Sequence, residues 1–155
     1  MRIYREKDYE AMSRRAAQII AAEIVHNPAC LLGLATGSTP EGAYRYLVDW
    51  YKQGLLSFKN VRSVNLDEYV GLAPDHDQSY RYFMQSNLFG HVDINPANTR
   101  VPDGLTLDAK AFCDEYDAFI RAQGYVDLQL LGIGRNGHIG FNEPGGFFVK
   151  ETHVV

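Results

Sequence analysis

Asn136, His138 and Glu143 put an amide, an imidazole and a carboxylate into one short loop, with glycines at 132, 134, 137 and 140 around them. A histidine exchanges protons near neutral pH, and a neighbouring carboxylate or amide orients it or tunes it. The glycines let backbone come close to a bound molecule. A lone histidine is more often a satisfied structural residue, but this company favours general acid–base work. His26, His76, His91 and His153 share no metal-ligand spacing and read as surface or loop residues. Gly132, Gly134 and Gly137 also make a literal G-x-G-x-x-G. The residues that follow, Gly140, Pro144, Gly145 and Gly146, cannot open the long helix that a dinucleotide site requires.

Two further segments carry candidate chemistry. Thr36-Gly37-Ser38-Thr39-Pro40 joins an apolar run to a helical pattern, with Thr39 as the expected N-cap and Pro40 at the first helical position. Free amides, hydroxyls and the positive end of a helix would converge there on an anion, most simply a phosphate. The alternative is an ordinary capped turn, and the Gly-Lys-Ser/Thr of a Walker loop is absent. Asp67 and Glu68 stand where a second apolar run ends, beside Tyr69. A carboxylate there is a general base, a metal ligand or a solvated strand end. Tyr80, Tyr82 and Phe83 read as helix packing.

The elements that must position these groups alternate. Helical spacing of Met12, Ala16, Ile19, Ile20 and Ile24 predicts a helix over 9–25, stopped by Asn27-Pro28. A buried strand follows over 30–35, a helix to about Gln53, and a strand over 61–66. A helix is expected over 79–88, irregular chain over 90–104, a helix over 107–123 and a strand over 126–133. Strands alternating with helices predict an α/β fold: an open, mostly parallel, Rossmann-like sheet with helices on both faces. In such sheets the loops after the strands share one rim, which brings the three polar segments together. The apolar, strand-like ending, Thr152-His153-Val154-Val155, with no cap or polar tail, reads as a truncated domain.

The composition sets outer bounds. Of 155 residues, 46% are hydrophobic and 22% charged, enough apolar mass for a packed core. A net charge of −4 with no basic stripe argues against nucleic acid as a partner. No segment is long enough to span a membrane, and the first residues, Met1 to Glu6, have no apolar leader pattern. Cys30 and Cys113 are expected to be reduced structural thiols, so a cytoplasmic location is expected.

Together, Leu34 to Pro40, Asn65-Leu66-Asp67-Glu68-Tyr69-Val70-Gly71-Leu72, Asp77-Gln78-Ser79-Tyr80 and Gly132 to Pro144 resemble the glucosamine-6-phosphate deaminase family, also called glucosamine-6-phosphate isomerase. The resemblance covers the whole chain, which corresponds to the N-terminal part of a single sugar-phosphate deaminase domain. It implies conversion of glucosamine 6-phosphate and water to fructose 6-phosphate and ammonia, with no metal or organic cofactor. Asp67 matches the enolisation base, and His138 the acid/base that opens the sugar ring. Asn136 and Glu143 match positions that assist it, and Thr36, Gly37, Ser38 and Thr39 match the substrate phosphate loop. Some members carry aspartate at the position of Asn136. Allosterically activated members carry a Ser-Arg-Thr run where this chain has Lys150-Glu151-Thr152, so activation by N-acetylglucosamine 6-phosphate is not expected. The alternatives are a 6-phosphogluconolactonase-type hydrolase and a non-catalytic sugar-phosphate-sensing domain. Homo-oligomerisation is left open.

Overall fold

The computed structural model describes residues 1–155 throughout. Helix α1, Tyr9–His26, starts where the Asp8 carboxylate accepts the Ala11 amide hydrogen at 2.8 Å and ends at Asn27. It buries Ala17, Ile20 and Ile24 along one stripe. Strand β1, Leu31–Leu34, is buried along its whole length, as a strand covered on both faces must be. Helix α2, Ser38–Lys52, leads to strand β2, Arg62–Asn65. Helix α3, Tyr80–Asn87, is capped by Ser79, whose hydroxyl accepts from the Tyr82 amide at 3.0 Å. Strand β3 is Thr99–Arg100, helix α4 is Ala109–Ala122 and strand β4 is Leu128–Gln129.

The four strands form one sheet in the order β3-β2-β1-β4, and every pairing is parallel. Leu32 and Leu34 of β1 pack with Ala17, Ile20 and Ile24 of α1, Tyr44 and Leu47 of α2 and Met84 of α3. Leu31 and Val64 face the other way, against Tyr116 of α4 with Phe112 and Ile120 beside it. The expected α/β architecture, with helices on both faces, is therefore present. The strand order reverses direction between β1 and β4, where open sheets of this kind form a crevice at the strands' carboxyl ends.

Buried polar groups tie the ends of the two central strands. The Tyr44 hydroxyl, from one helix layer, donates to the Ala35 carbonyl at 2.5 Å. The Tyr116 hydroxyl, from the opposite layer, lies 2.8 Å from the Asn65 carbonyl and 3.2 Å from that of Arg100. Asn65 spans the two strands, its amide donating to the Leu34 carbonyl at 3.3 Å. Thr36 directly follows the anchored Ala35, and Asp67 stands two residues after Asn65.

Four local expectations need correction. Helix α2 begins at Ser38, so Thr39 is not its N-cap: Gly37, at φ +88°, turns the chain into the helix earlier, and no side chain caps it. Pro40 still fits, because the first turn has no amide partners to lose. The 90–104 stretch contains two 3-10 turns and the edge strand β3, whose two residues are too few to show a period. Strand β4 is Leu128–Gln129 rather than the whole apolar run. The last residues form no strand; Thr152 is instead held to α4, its hydroxyl 2.6 Å from the Asp117 carboxylate.

Candidate functional site

The loops after β1, β2 and β4 leave the same rim of the sheet, since all three strands are parallel neighbours. The first supplies Thr36, half-buried, then Gly37, Ser38 and Thr39, all exposed at the start of α2. Tyr9 reaches over from α1: its hydroxyl donates toward the Ser38 carbonyl at 2.9 Å and accepts the Gly42 amide hydrogen at 2.9 Å. This fixes the turn from behind. The amides of Ser38 and Thr39 at the positive helix end face solvent without a side-chain cap, which is the arrangement that receives an anion.

The second loop supplies Asp67, half-buried just past β2. Burial, and then the adjacent Glu68 charge, raise its carboxyl pKa from 3.8 to about 6. A carboxylate in that range is a far better base than an ordinary one and is still ionised at neutral pH. Beside it the Tyr80 and Tyr69 rings meet at 4.8 Å between centroids, with Tyr80 donating to the Tyr69 hydroxyl at 3.1 Å. Burial, first, and then that hydrogen bond and the Asp67 charge hold the Tyr80 phenol protonated, while the Thr36 side chain pulls the other way. Tyr80 therefore neighbours both Thr36 of the anion turn and the Asp67 carboxylate. Sequence reasoning assigned it to packing; the signal was its place in the first turn of a helix that follows the Asp67 loop.

The third loop folds on itself. The Asn136 amide oxygen lies 2.8 Å from His138 Nδ1 and accepts the His138 backbone amide at 3.2 Å. The Asn136 amide nitrogen donates to Glu143 at 2.6 Å. A carboxylate only accepts, so both ends of the Asn136 amide are assigned by their partners. Nδ1 is then the protonated nitrogen of a neutral His138, and Nε2 is left as the free base. Glu143 lies 3.8 Å from Nδ1 and is mostly exposed. The imidazole lies against Gly134, where any Cβ would run into the ring, and stacks on Phe141 at 6.0 Å. Paired backbone bonds between Ile139 and Asn142, at 3.1 and 3.0 Å, close the loop as a hairpin.

Thus Asn136, His138 and Glu143 form one bonded group, and Asp67 lies with Tyr80, itself bonded to Tyr69, in a second cluster. The bonds of His138 and Glu143 stay within their own loop; the two groups are neighbours through the sheet rim rather than by direct bonds. The site is open: a cavity of about 400 Å³ runs instead beneath α4, past Val64, Tyr116 and Gln129, and includes none of these residues. No group of three or more His, Cys, Asp or Glu side chains converges as a metal site, and no helix is long and apolar enough to cross a membrane.

Fold and rim define an open α/β protein whose acid–base groups stand beside an anion-ready helix start. Residues 5–141 match the model of the glucosamine-6-phosphate isomerase/6-phosphogluconolactonase family, and the chain belongs to that family. Its whole length is 55% identical to the glucosamine-6-phosphate deaminase of Lachnoclostridium phytofermentans and 55% identical to that of Clostridioides difficile. It spans 66% of the first of these relatives and 62% of the second. Among solved structures, a monomeric glucosamine-6-phosphate deaminase superposes on the whole chain with a TM-score of 0.96 at 47% identity, the chain spanning 64% of it. The 6-phosphogluconolactonase of Thermotoga maritima covers 90% of the chain with a TM-score of 0.72 at 20% identity, the chain spanning 62% of it, which is a likeness of fold alone.

Proposed function

We propose that the protein carrying this chain is a glucosamine-6-phosphate deaminase, converting glucosamine 6-phosphate and water to fructose 6-phosphate and ammonia. The relatives' names apply to longer chains, so the proposal is made for a polypeptide of their length, in which residues 1–155 contribute the N-terminal part of one domain. The observation that carries it is Asp67: a half-buried carboxyl with its pKa raised to about 6, at a strand end next to the uncapped start of α2.

The sugar must first open. His138 Nε2 takes the proton of the anomeric hydroxyl and returns one to the ring oxygen, while Asn136 holds the ring by Nδ1 and Glu143 holds Asn136. The open-chain aldehyde has a weakly acidic hydrogen at C2. Asp67 removes it while the C1 oxygen takes a proton from the substrate's own ammonium group, and Asp67 then delivers its proton to C1, leaving an imine at C2; water adds there and ammonia leaves. The Thr36–Thr39 turn takes the phosphate, so that binding energy from the far end of the substrate aligns C2 with Asp67. A lactone hydrolysis needs no base at C2, and the raised Asp67 would have no use in it.

Ammonia release from glucosamine 6-phosphate, measured beside solvent deuterium uptake at C2, tests the proposal. Both are expected, and neither from 6-phosphogluconolactone. Lactone hydrolysis without ammonia release would overturn it.

A further inference from the structure

Glu68 has no part in the chemistry of the deaminase reading, yet its carboxylate is fully engaged. One oxygen accepts the amide hydrogens of Tyr69 and Tyr80, both at 2.9 Å, and the other accepts that of Arg81 at 2.9 Å. With both oxygens committed to backbone, this side chain cannot act as a second base. Two of the donors lie in the first turn of α3, 12 and 13 residues further along the chain. That helix already has its own cap in Ser79, and exposed first-turn amides are otherwise satisfied by water. What Glu68 adds is a fixed link between the Asp67 loop and α3.

The link ends on a consequential residue. Tyr80 hangs from the clamped turn, pairs with Tyr69 and neighbours Thr36 and Asp67. We propose that Glu68 is a positioning residue for the deaminase reaction, clamping the first turn of α3 so that Tyr80 and Tyr69 hold substrate carbon C2 against Asp67. The inference rests on the deaminase reading and names a residue that reading does not use. Glu68 also presents a fixed negative charge to Asp67. The other titratable groups facing Asp67 are Tyr80 from α3 and Tyr116 from α4, both phenols kept neutral by burial. Arg100 of β3 faces Tyr116 and is paired with Glu115 at 2.9 Å. Glu68 is therefore the neighbour whose removal changes the charge around Asp67.

The test compares Glu68→Gln and Glu68→Asp with the wild type at full length. Glu68→Gln removes the charge and one acceptor. It should lower kcat by about 10- to 100-fold, the range expected when a reacting group shifts by about 1 Å, with little change in KM. The acid limb of kcat/KM should move to lower pH, which a purely structural defect does not produce. Hydrogen exchange at the Tyr80 and Arg81 amides should accelerate. Glu68→Asp keeps the charge but is too short to bridge, so it should keep the acid limb and lose the amide protection. It also serves if the glutamine variant does not fold. An unmoved acid limb in Glu68→Gln, or unchanged protection of both amides, overturns the inference. A wild type that releases no ammonia instead removes the deaminase reading.

Discussion

Replacing Asp67 by asparagine should make the protein more stable at neutral pH while destroying its proposed chemistry. The folded carboxyl has a pKa of about 6 against 3.8 for an unperturbed one. Between those values the native state binds the proton that the unfolded chain has released, so stability falls as pH rises through the window. Below about pH 4 both states are protonated and the penalty is absent; above about pH 6 it is complete. A shift of roughly two units corresponds to about 3 kcal/mol. Asparagine carries no charge to desolvate but leaves an amide to satisfy, so the net gain should be about 1–2 kcal/mol at pH 7. Urea unfolding of both proteins from pH 3.5 to 8 measures it. The variant's advantage should vanish as pH falls and reverse at the acid end, where only the cost of the buried amide, about 1–2 kcal/mol, remains, while C2 exchange falls by about two to four orders of magnitude. A variant less stable at pH 7, or a difference that does not change with pH, would refute the argument that burial strains this carboxylate.

Other consequences of the proposed site are direct. The acid limb of wild-type kcat/KM should lie near pH 6, where Asp67 loses its charge, and Asp67→Asn should show no such limb; a wild-type limb near pH 4 would contradict the raised carboxyl. His138→Gln should be slow on the cyclic sugar and largely restored on an open-chain analogue, whereas equal impairment on both would give His138 a structural role. Ser38→Ala and Thr39→Ala should each weaken glucosamine 6-phosphate binding by about 1.5–3 kcal/mol, as expected for a lost hydrogen bond to a charged phosphate. Unchanged calorimetric affinity in both would remove this turn from the site.

What was readable in the sequence and what was not divide along physical lines. Helices α1, α3 and α4 carry enough turns for the apolar period to register, and Asp8, Ser79 and Asp108 cap them as such residues do. The burial of β1 shows in its unbroken apolar run. Edge strand β3 pairs through Thr99 and Arg100 only, too short to produce a pattern, and β4 pairs only at Leu128 and Gln129 although its apolar run is longer. The α2 start was misplaced because Thr39-Pro40 is a strong local cap signal, whereas the deciding property is the left-handed backbone of Gly37. Of the candidate site, Asp67, Asn136, His138 and Glu143 stand out as residue types in company. Glu68 shows only as a second carboxylate beside Asp67 and Tyr80 only as helix packing, because their importance comes from contacts between the Asp67 loop and α3 that no local spacing encodes.

The two buried tyrosines at the strand ends have a consequence for how this protein can vary. Tyr44 reaches the Ala35 carbonyl from one layer and Tyr116 reaches the Asn65 carbonyl from the other. The spacing between the anion turn and the base is thus gauged by the thickness of two hydrophobic layers, not by the loops that carry the chemistry. Close-packed interiors transmit a missing methylene as displacement. A core residue such as Leu47 or Phe112, far from any reacting atom, thereby acquires a say in the alignment of the rim. In the proposed enzyme, drift in the interior would then register in turnover as well as in folding.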